Sequence, residues 1–234
     1  MLLIPLIFGS LVLLIIVGGI LGFKAQRKRN AALQTWAHSR GLTFLPDKIR
    51  DVEHRFPDFE CFRQGKNRYA QRFMHGQIDG RTVYAFDYHY QTQTTRHSTS
   101  GGRHRTATRR KQTHHHQFSA LIIEPGFTLE PLLIRPEGWT DRVASLFGRG
   151  DIQFQSAEFN RKFHVSAPNP DFAHQVLHAR TIDRLLEAPP HTIEFAPHQI
   201  LLIRKRRRFD PAEFEAALAL ISTILNNLPR HLKR

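Results

Sequence analysis

The chain has 234 residues, with 34 Lys+Arg against 20 Asp+Glu, 15 histidines and a formal net charge of +14 at pH 7. Hydrophobic residues at 41% and 18 phenylalanines exclude a disordered tail and support a folded body with its own core. The charge favours an anionic partner or surface, and the single Cys61 excludes an intramolecular disulfide, as expected in a reducing compartment.

Leu2 to Phe23 carries no charged side chain, and Lys24, Arg27, Lys28 and Arg29 follow at once. At helical rise this run covers roughly 33 Å, enough for a bilayer core of about 30 Å. A cleaved signal peptide is the competing reading, but it wants a basic leader, a shorter apolar core and an A-x-A site. The run therefore predicts a single-pass anchor over 1–23. The cations behind it predict an outward N-terminus and a cytoplasmic body at the cell inner membrane.

A basic juxtamembrane stalk helix is expected over 24–41, with Leu33, Trp36 and Ala37 on one face and Gly41 ending it. An α+β domain is expected over 42–229, mainly antiparallel sheet with helices on one face, before a basic tail at 230–234. Tyr69–Gly76 and Arg81–Tyr90 read as strands joined by Asp79-Gly80, a hairpin signal. In the second, Val83, Ala85, Asp87 and His89 share one face, and Tyr84, Phe86, Tyr88 and Tyr90 the other. Residues 94–113 are basic and lack large apolar side chains, which predicts a mobile loop.

His116–Ile123 and Leu129–Ile134 read as further strands, Arg135-Pro136-Glu137-Gly138 as a break, and Trp139–Phe147 as a short helix. Over 151–228 a strand–strand–helix pattern recurs twice. Asp151–Gln155 and Phe159–Val165 precede a helix over Pro170–Leu186, broken near His178. Thr192–Phe195 and Ile200–Ile203 precede a last helix, which Asp210-Pro211 caps and Pro229 ends.

Glu158-Phe159-Asn160-Arg161-Lys162-Phe163-His164-Val165, then Asp171, Ala173 and Arg180-Thr181-Ile182-Asp183-Arg184-Leu185-Leu186, resemble an uncharacterised domain of bacterial single-pass membrane-anchored proteins. Gln117–Ala120 and Pro131–Glu137 fit the same likeness, which covers roughly 68–229. The resemblance implies architecture and membrane attachment, and it brings no activity with it.

No nucleophile elbow, Walker or zincin sequence is present. Asp87 and His89 on one strand face are the weak catalytic candidates, an imidazole and a carboxylate being raw material for a general base. Glu124, Glu130, Glu137, Asp141, Asp151 and Glu158 are the densest acids and read as structural ion pairs, those from Glu130 to Glu158 being the ones that would join such a site. His114 and His116, at i and i+2, are the weak metal candidates, opposed by the cations around them.

The basic clusters are the anionic-surface candidates: Lys24, Arg27, Lys28 and Arg29; Arg96, Arg103, Arg105, Arg109, Arg110 and Lys111; and Arg204, Lys205, Arg206, Arg207 and Arg208. For a protein tied to the inner leaflet the nearest polyanion is lipid headgroup. The expected function is a non-enzymatic binding or scaffold module at the inner membrane face, with no cofactor and a protein partner of unknown identity. The alternatives are a membrane-bound enzyme around Asp87 and His89, and a membrane-tethered nucleic-acid binder.

Overall fold

A computed structural model describes residues 3–99, 107–138 and 150–233, with side chains for 17–95, 111–138 and 150–233. Helix α1 (Leu3–Ser39) is continuous from the apolar run into the body. It ends where Gly41 takes a φ of 69°, a left-handed position that glycine adopts without a Cβ penalty. Leu33, Trp36 and Ala37 are buried, as their spacing predicts. Among the residues whose side chains are described, which in α1 begin at Val17, no helix is long and apolar enough to cross a membrane.

The strands are β1 (Thr43–Leu45), β2 (Lys66–Ile78), β3 (Arg81–Thr99), β4 (Ala107–Glu124), β5 (Leu132–Pro136), β6 (Phe163–Ser166), β7 (Thr192–Ala196) and β8 (Gln199–Ile203). They form one antiparallel sheet in the order β1-β2-β3-β4-β8-β7-β5-β6. The Asp79-Gly80 turn joins β2 to β3 as expected. The other helices are α2 (Val52–Arg55), α3 (Ala157–Lys162), α4 (Pro170–Val176), α5 (Ala179–Glu187) and α6 (Pro211–Asn227).

Both sheet faces are covered, because strand alternation supplies two apolar sets. Val83, Ala85, Leu121, Ile123, Ile193, Phe195, Ile200 and Leu202 pack with α1, α3, α4, α5 and α6. On the other face Phe73, Phe86, Tyr88 and Phe118 meet Val52, Phe56, Phe59 and Phe62. The expectation of helices on one face holds for the large layer, and the aromatic cap bearing α2 is the addition.

Three local expectations are corrected. The segment 94–113 continues β3 to Thr99 and β4 from Ala107, with Thr94 opposite Gln112 and Arg96 opposite Arg110. Residues 94–99 and 107–113 carry no large apolar residue yet form a ribbon, since the two strands satisfy each other's backbone groups. Asp151–Gln155 is not a strand, and Ala157–Lys162 is a helix, so the quasi-repeat is not present. Ser156 caps α3 by accepting from the Phe159 N–H, and Glu158 pairs with Lys162 one turn on. The expected break at 135–138 begins at Glu137, because Arg135 and Pro136 still pair with β6. The helix expected at 139–147 lies outside the described residues.

The last helix is as expected: Asp210 and Glu213 form a reciprocal capping box. The break near His178 is also present, between α4 and α5.

Candidate anionic-surface interface

Asp87 lies on the helix-facing side of β3, 1% exposed. Its carboxylate accepts from Arg29 Nη1 at 2.5 Å and Nη2 at 3.0 Å, from Arg72 Nε at 2.7 Å, and from the Ser119 hydroxyl. Burial works against its charge most strongly. The Arg29 hydrogen bonds and charge, the Arg72 charge and the Ser119 bond together outweigh it, holding the carboxyl below the usual aspartate range.

Arg72 reaches this position from a bulge in β2, where its φ is 53°. It is 3% exposed. Arg29 Nη2 also donates to the Phe209 carbonyl at 2.7 Å, and the Phe209 N–H donates to Ser119 Oγ at 2.7 Å. Five residues from α1, β2, β3, β4 and the segment before α6 thus share one buried network.

His89 has other partners. Its Nδ1 lies 3.3 Å from the Asn67 carbonyl oxygen, its Nε2 lies 3.2 Å from His115 Nδ1, and its ring stacks on Tyr69. Burial first, then the nearby His115 and Lys48, lowers its pKa against the Asn67 hydrogen bond. Asp87 and His89 share a strand face but serve separate networks. Four of the six acids are engaged locally, and Asp141 lies outside the described residues. Glu124 binds Gln199, Glu130 binds Asn169, Glu158 binds Lys162, and Asp151 accepts from the Val165 N–H beside His164.

His116 bonds Thr92 at 2.8 Å and stacks on Tyr90, while His114 is half-buried on the same face. Among the described residues, the three side chains whose ligand atoms lie within 4.8 Å of one another are instead Asp51, Glu53 and His54. Glu53 there is held by Arg68 at 2.7 Å.

The first and last basic clusters, separate in sequence, lie at one end of the sheet, where the β3–β4 ribbon carrying the described part of the middle one begins. Arg29 is level with Asp87 on β3. The Ser119 N–H of β4 donates to the Arg207 carbonyl, which sets residues 204–208 beside the same stretch. Arg206 and Lys205 lie close enough to His116 to lower its pKa, behind burial. The β3–β4 arm starts here, where β2 ends opposite Gln91 and β8 ends opposite Ala120.

Not every candidate cation is available. Arg29 is committed to Asp87, Arg204 and Arg207 lie against Glu213 at 3.6 and 3.1 Å, and Arg27 covers the Phe23 ring at 4.6 Å. Lys24, Lys28, Lys111, Arg206 and Arg208 are exposed, and Lys205, also exposed, is engaged within the protein. Arg96, Arg109 and Arg110 have strand positions in the arm, and Arg103 and Arg105 lie outside the described residues. Next to Lys24, Val17, Ile20, Leu21 and Phe23 are 44–61% exposed.

Sequence reading missed Arg72, Ser119 and Glu194. A serine between Phe118 and Ala120 and a glutamate inside Thr192–Ala196 are polar interruptions of apolar strands, the one signal available. Glu194 is 3% exposed and pushed up to about 8 by burial, with Asp58 and Glu60 adding to it.

Fold and site together define an α+β antiparallel-sheet protein with a basic end from which a long N-terminal helix leaves. No family model matches the chain, and no curated protein matches it. Among solved structures it is similar to the mycobacterial trehalose monomycolate transport factor A, TtfA. The TM-score is 0.57 at 16% identity, over 87% of this chain and 97% of that one. At that identity the likeness shows the shared fold.

Proposed function

We propose that this chain is a non-enzymatic binding or scaffold module anchored by α1 at the inner face of a membrane, its basic end toward anionic headgroups. The observation that carries this reading is that Arg29 of the first basic cluster and residues 204–208 of the last lie beside the same stretch of β3 and β4, at the end where α1 leaves the sheet. The apolar run Leu2–Phe23 and the exposed Val17, Ile20, Leu21 and Phe23 support lipid as the surroundings of that helix.

The Asp87 network gives the anchor its mechanical role. A flexible stalk would let the body tumble. Here one uninterrupted helix runs into the core and is bonded to the sheet through Arg29, so the body keeps one pose relative to the anchor. TtfA is named as a transport factor, and the shared fold makes a transport-associated role the favoured form of the scaffold reading.

Topology tests the anchor. A reporter that fluoresces only in the cytoplasm should be bright when fused after Arg234, and one active only outside should be silent. Co-purification from gently solubilised membranes should then return a membrane-protein partner. The reverse topology overturns the reading.

A further inference from the structure

His89 and His115 meet across β3 and β4 at the root of the ribbon, where β2 ends with Lys66 opposite Gln91. The register sets His89 opposite Gln117 and His115 opposite Gln91, so the two imidazoles are diagonal neighbours on one face. His89 Nε2 lies 3.2 Å from His115 Nδ1. His89 is 4% exposed and His115 is exposed, so the pair is rooted in the body and open to solvent on one side.

The hydrogen bonds behind the pair decide what these two nitrogens present to each other. A carbonyl oxygen only accepts, so the 3.3 Å contact with the Asn67 carbonyl makes His89 Nδ1 a donor and leaves a lone pair on Nε2 of the neutral ring. The Asn67 side-chain amide donates to Gln91 Oε1 at 2.7 Å, which turns the Gln91 amide nitrogen toward His115 Nδ1 at 3.5 Å. That amide nitrogen only donates, so His115 Nδ1 presents a lone pair as well. Two imidazole lone pairs then face each other with no hydrogen between them.

The surroundings hold this arrangement in place. β2 bulges between Lys66 and Tyr69, Asn67 takes a φ of 50°, and a Cβ at Gly65 would collide with the Gln91 carbonyl oxygen. The Tyr69 ring stacks on His89 with centroids 4.6 Å apart. The cations nearest this face are engaged elsewhere: Arg29 and Arg72 with Asp87, and Lys48 over the Tyr69 ring at 4.6 Å.

We propose that His89 and His115 form a two-histidine site for a borderline divalent transition metal of the zinc, nickel and copper class. Two imidazole nitrogens on a tetrahedral zinc, each about 2.0–2.1 Å from the ion, stand about 3.3 Å apart, close to the spacing found here. His89 also carries the outer contact usual for a ligating histidine, its second ring N–H donating to a carbonyl. Solvent on the His115 side supplies the remaining positions. A bound ion ties β3 to β4 at the point where the third strand ends.

The test titrates the full chain in detergent, free of any polyhistidine tag, with zinc alone against a chromophoric chelator. The chain should take up one zinc, which copper displaces and magnesium does not. His115→Ala changes an exposed position and should keep the parent's melting temperature without metal. It should weaken zinc uptake by more than about tenfold, a loss that even outer-shell changes bring. Zinc should raise the melting temperature of the parent and leave that of His115→Ala unmoved. His114→Ala and His116→Ala should bind as the parent does, and so should Glu53→Gln in the Asp51–His54 group. A full chain that takes up no zinc overturns the proposal and leaves a hydrogen-bonded imidazole pair. Uptake that survives His115→Ala, or that is lost with His114→Ala, His116→Ala or Glu53→Gln instead, overturns it equally.

Discussion

At the scale of single residues, Asp87 decides more than any other side chain. It faces two guanidinium groups, so removing its charge leaves Arg29 and Arg72 close together and uncompensated in a buried site. Asp87→Asn should therefore cost about 3–5 kcal/mol, the range for breaking a buried pair from one side. Arg29→Ala leaves Asp87 its Arg72 and Ser119 partners and should cost about 1–2 kcal/mol. Thermal melts of the full chain in detergent, with cellular protein level as a second readout, should rank the two in that order. Equal effects would show that the network does not hold the helix.

The carboxyls at 87 and 194 pull pH dependence in opposite directions. Asp87 is depressed in the folded state, so its contribution is complete above the ordinary aspartate pKa and is lost as pH falls through the folded value. Glu194 is raised to about 8. Between its unfolded pKa of about 4.3 and that value, the folded chain holds a proton that the unfolded chain has released, so stability falls as pH rises across this window. Glu194→Gln should raise the melting temperature at pH 8 by several degrees and change little at pH 4. A variant with the parent's melting temperature at pH 8 would show that Glu194 ionises without penalty.

Among the elements, α1 carries two roles that divide near Lys24. Its C-terminal part buries Leu33 and Ala37, stacks Trp36 on Phe214 at 5.4 Å and donates the Trp36 indole N–H to Glu215 at 3.0 Å. A chain beginning at Lys24 retains Arg29 and all of these contacts, and should melt cooperatively. A chain beginning at Gly41 uncovers the Val83–Ala85 face of the sheet and should aggregate or express poorly. Cooperative melting of both would place α1 outside the core. Cutting at Asn30 falls between the two, since it keeps the packing but removes Arg29 from Asp87.

Across the whole molecule, the net charge of +14 matters through its placement. Cations far apart in the chain share one end of the sheet, and several that the sequence offers as surface ligands are committed inside the protein. The chain beginning at Lys24 should bind anionic vesicles at low salt and release as the Debye length shrinks from about 30 Å at 0.01 M to about 8 Å at physiological strength. Neutralising Arg206 and Arg208 should weaken that binding about tenfold or more, a cation close to an anionic surface contributing about 1 kcal/mol. Neutralising Arg29 should instead act on stability. An equal loss of vesicle binding from both changes, at unchanged stability, would contradict the division.

What the sequence by itself determined was whatever depends on neighbours along the chain. Leu33, Trp36 and Ala37 at helical spacing, the Asp79-Gly80 turn between alternating aromatics, and the Asp210-Pro211 start before Glu213 are local signals, and each element is where they place it. The run after Ser156 went astray because Phe159, Phe163 and Val165 suggest a strand, while a serine cap and one ion pair favour a turn of helix. The ribbon over 94–99 and 107–113 was illegible for a different reason: its strands are held by pairing with each other, and composition alone carries no record of that register. Only the tertiary structure decided that Arg29, in a cluster of apparently equivalent cations, is bound to Asp87, and that Arg72 joins them through a bulge. A buried charge must be paired wherever its partner lies in the chain. The pairing of residues 58 positions apart is set by how a helix crosses a sheet, and no local pattern encodes it.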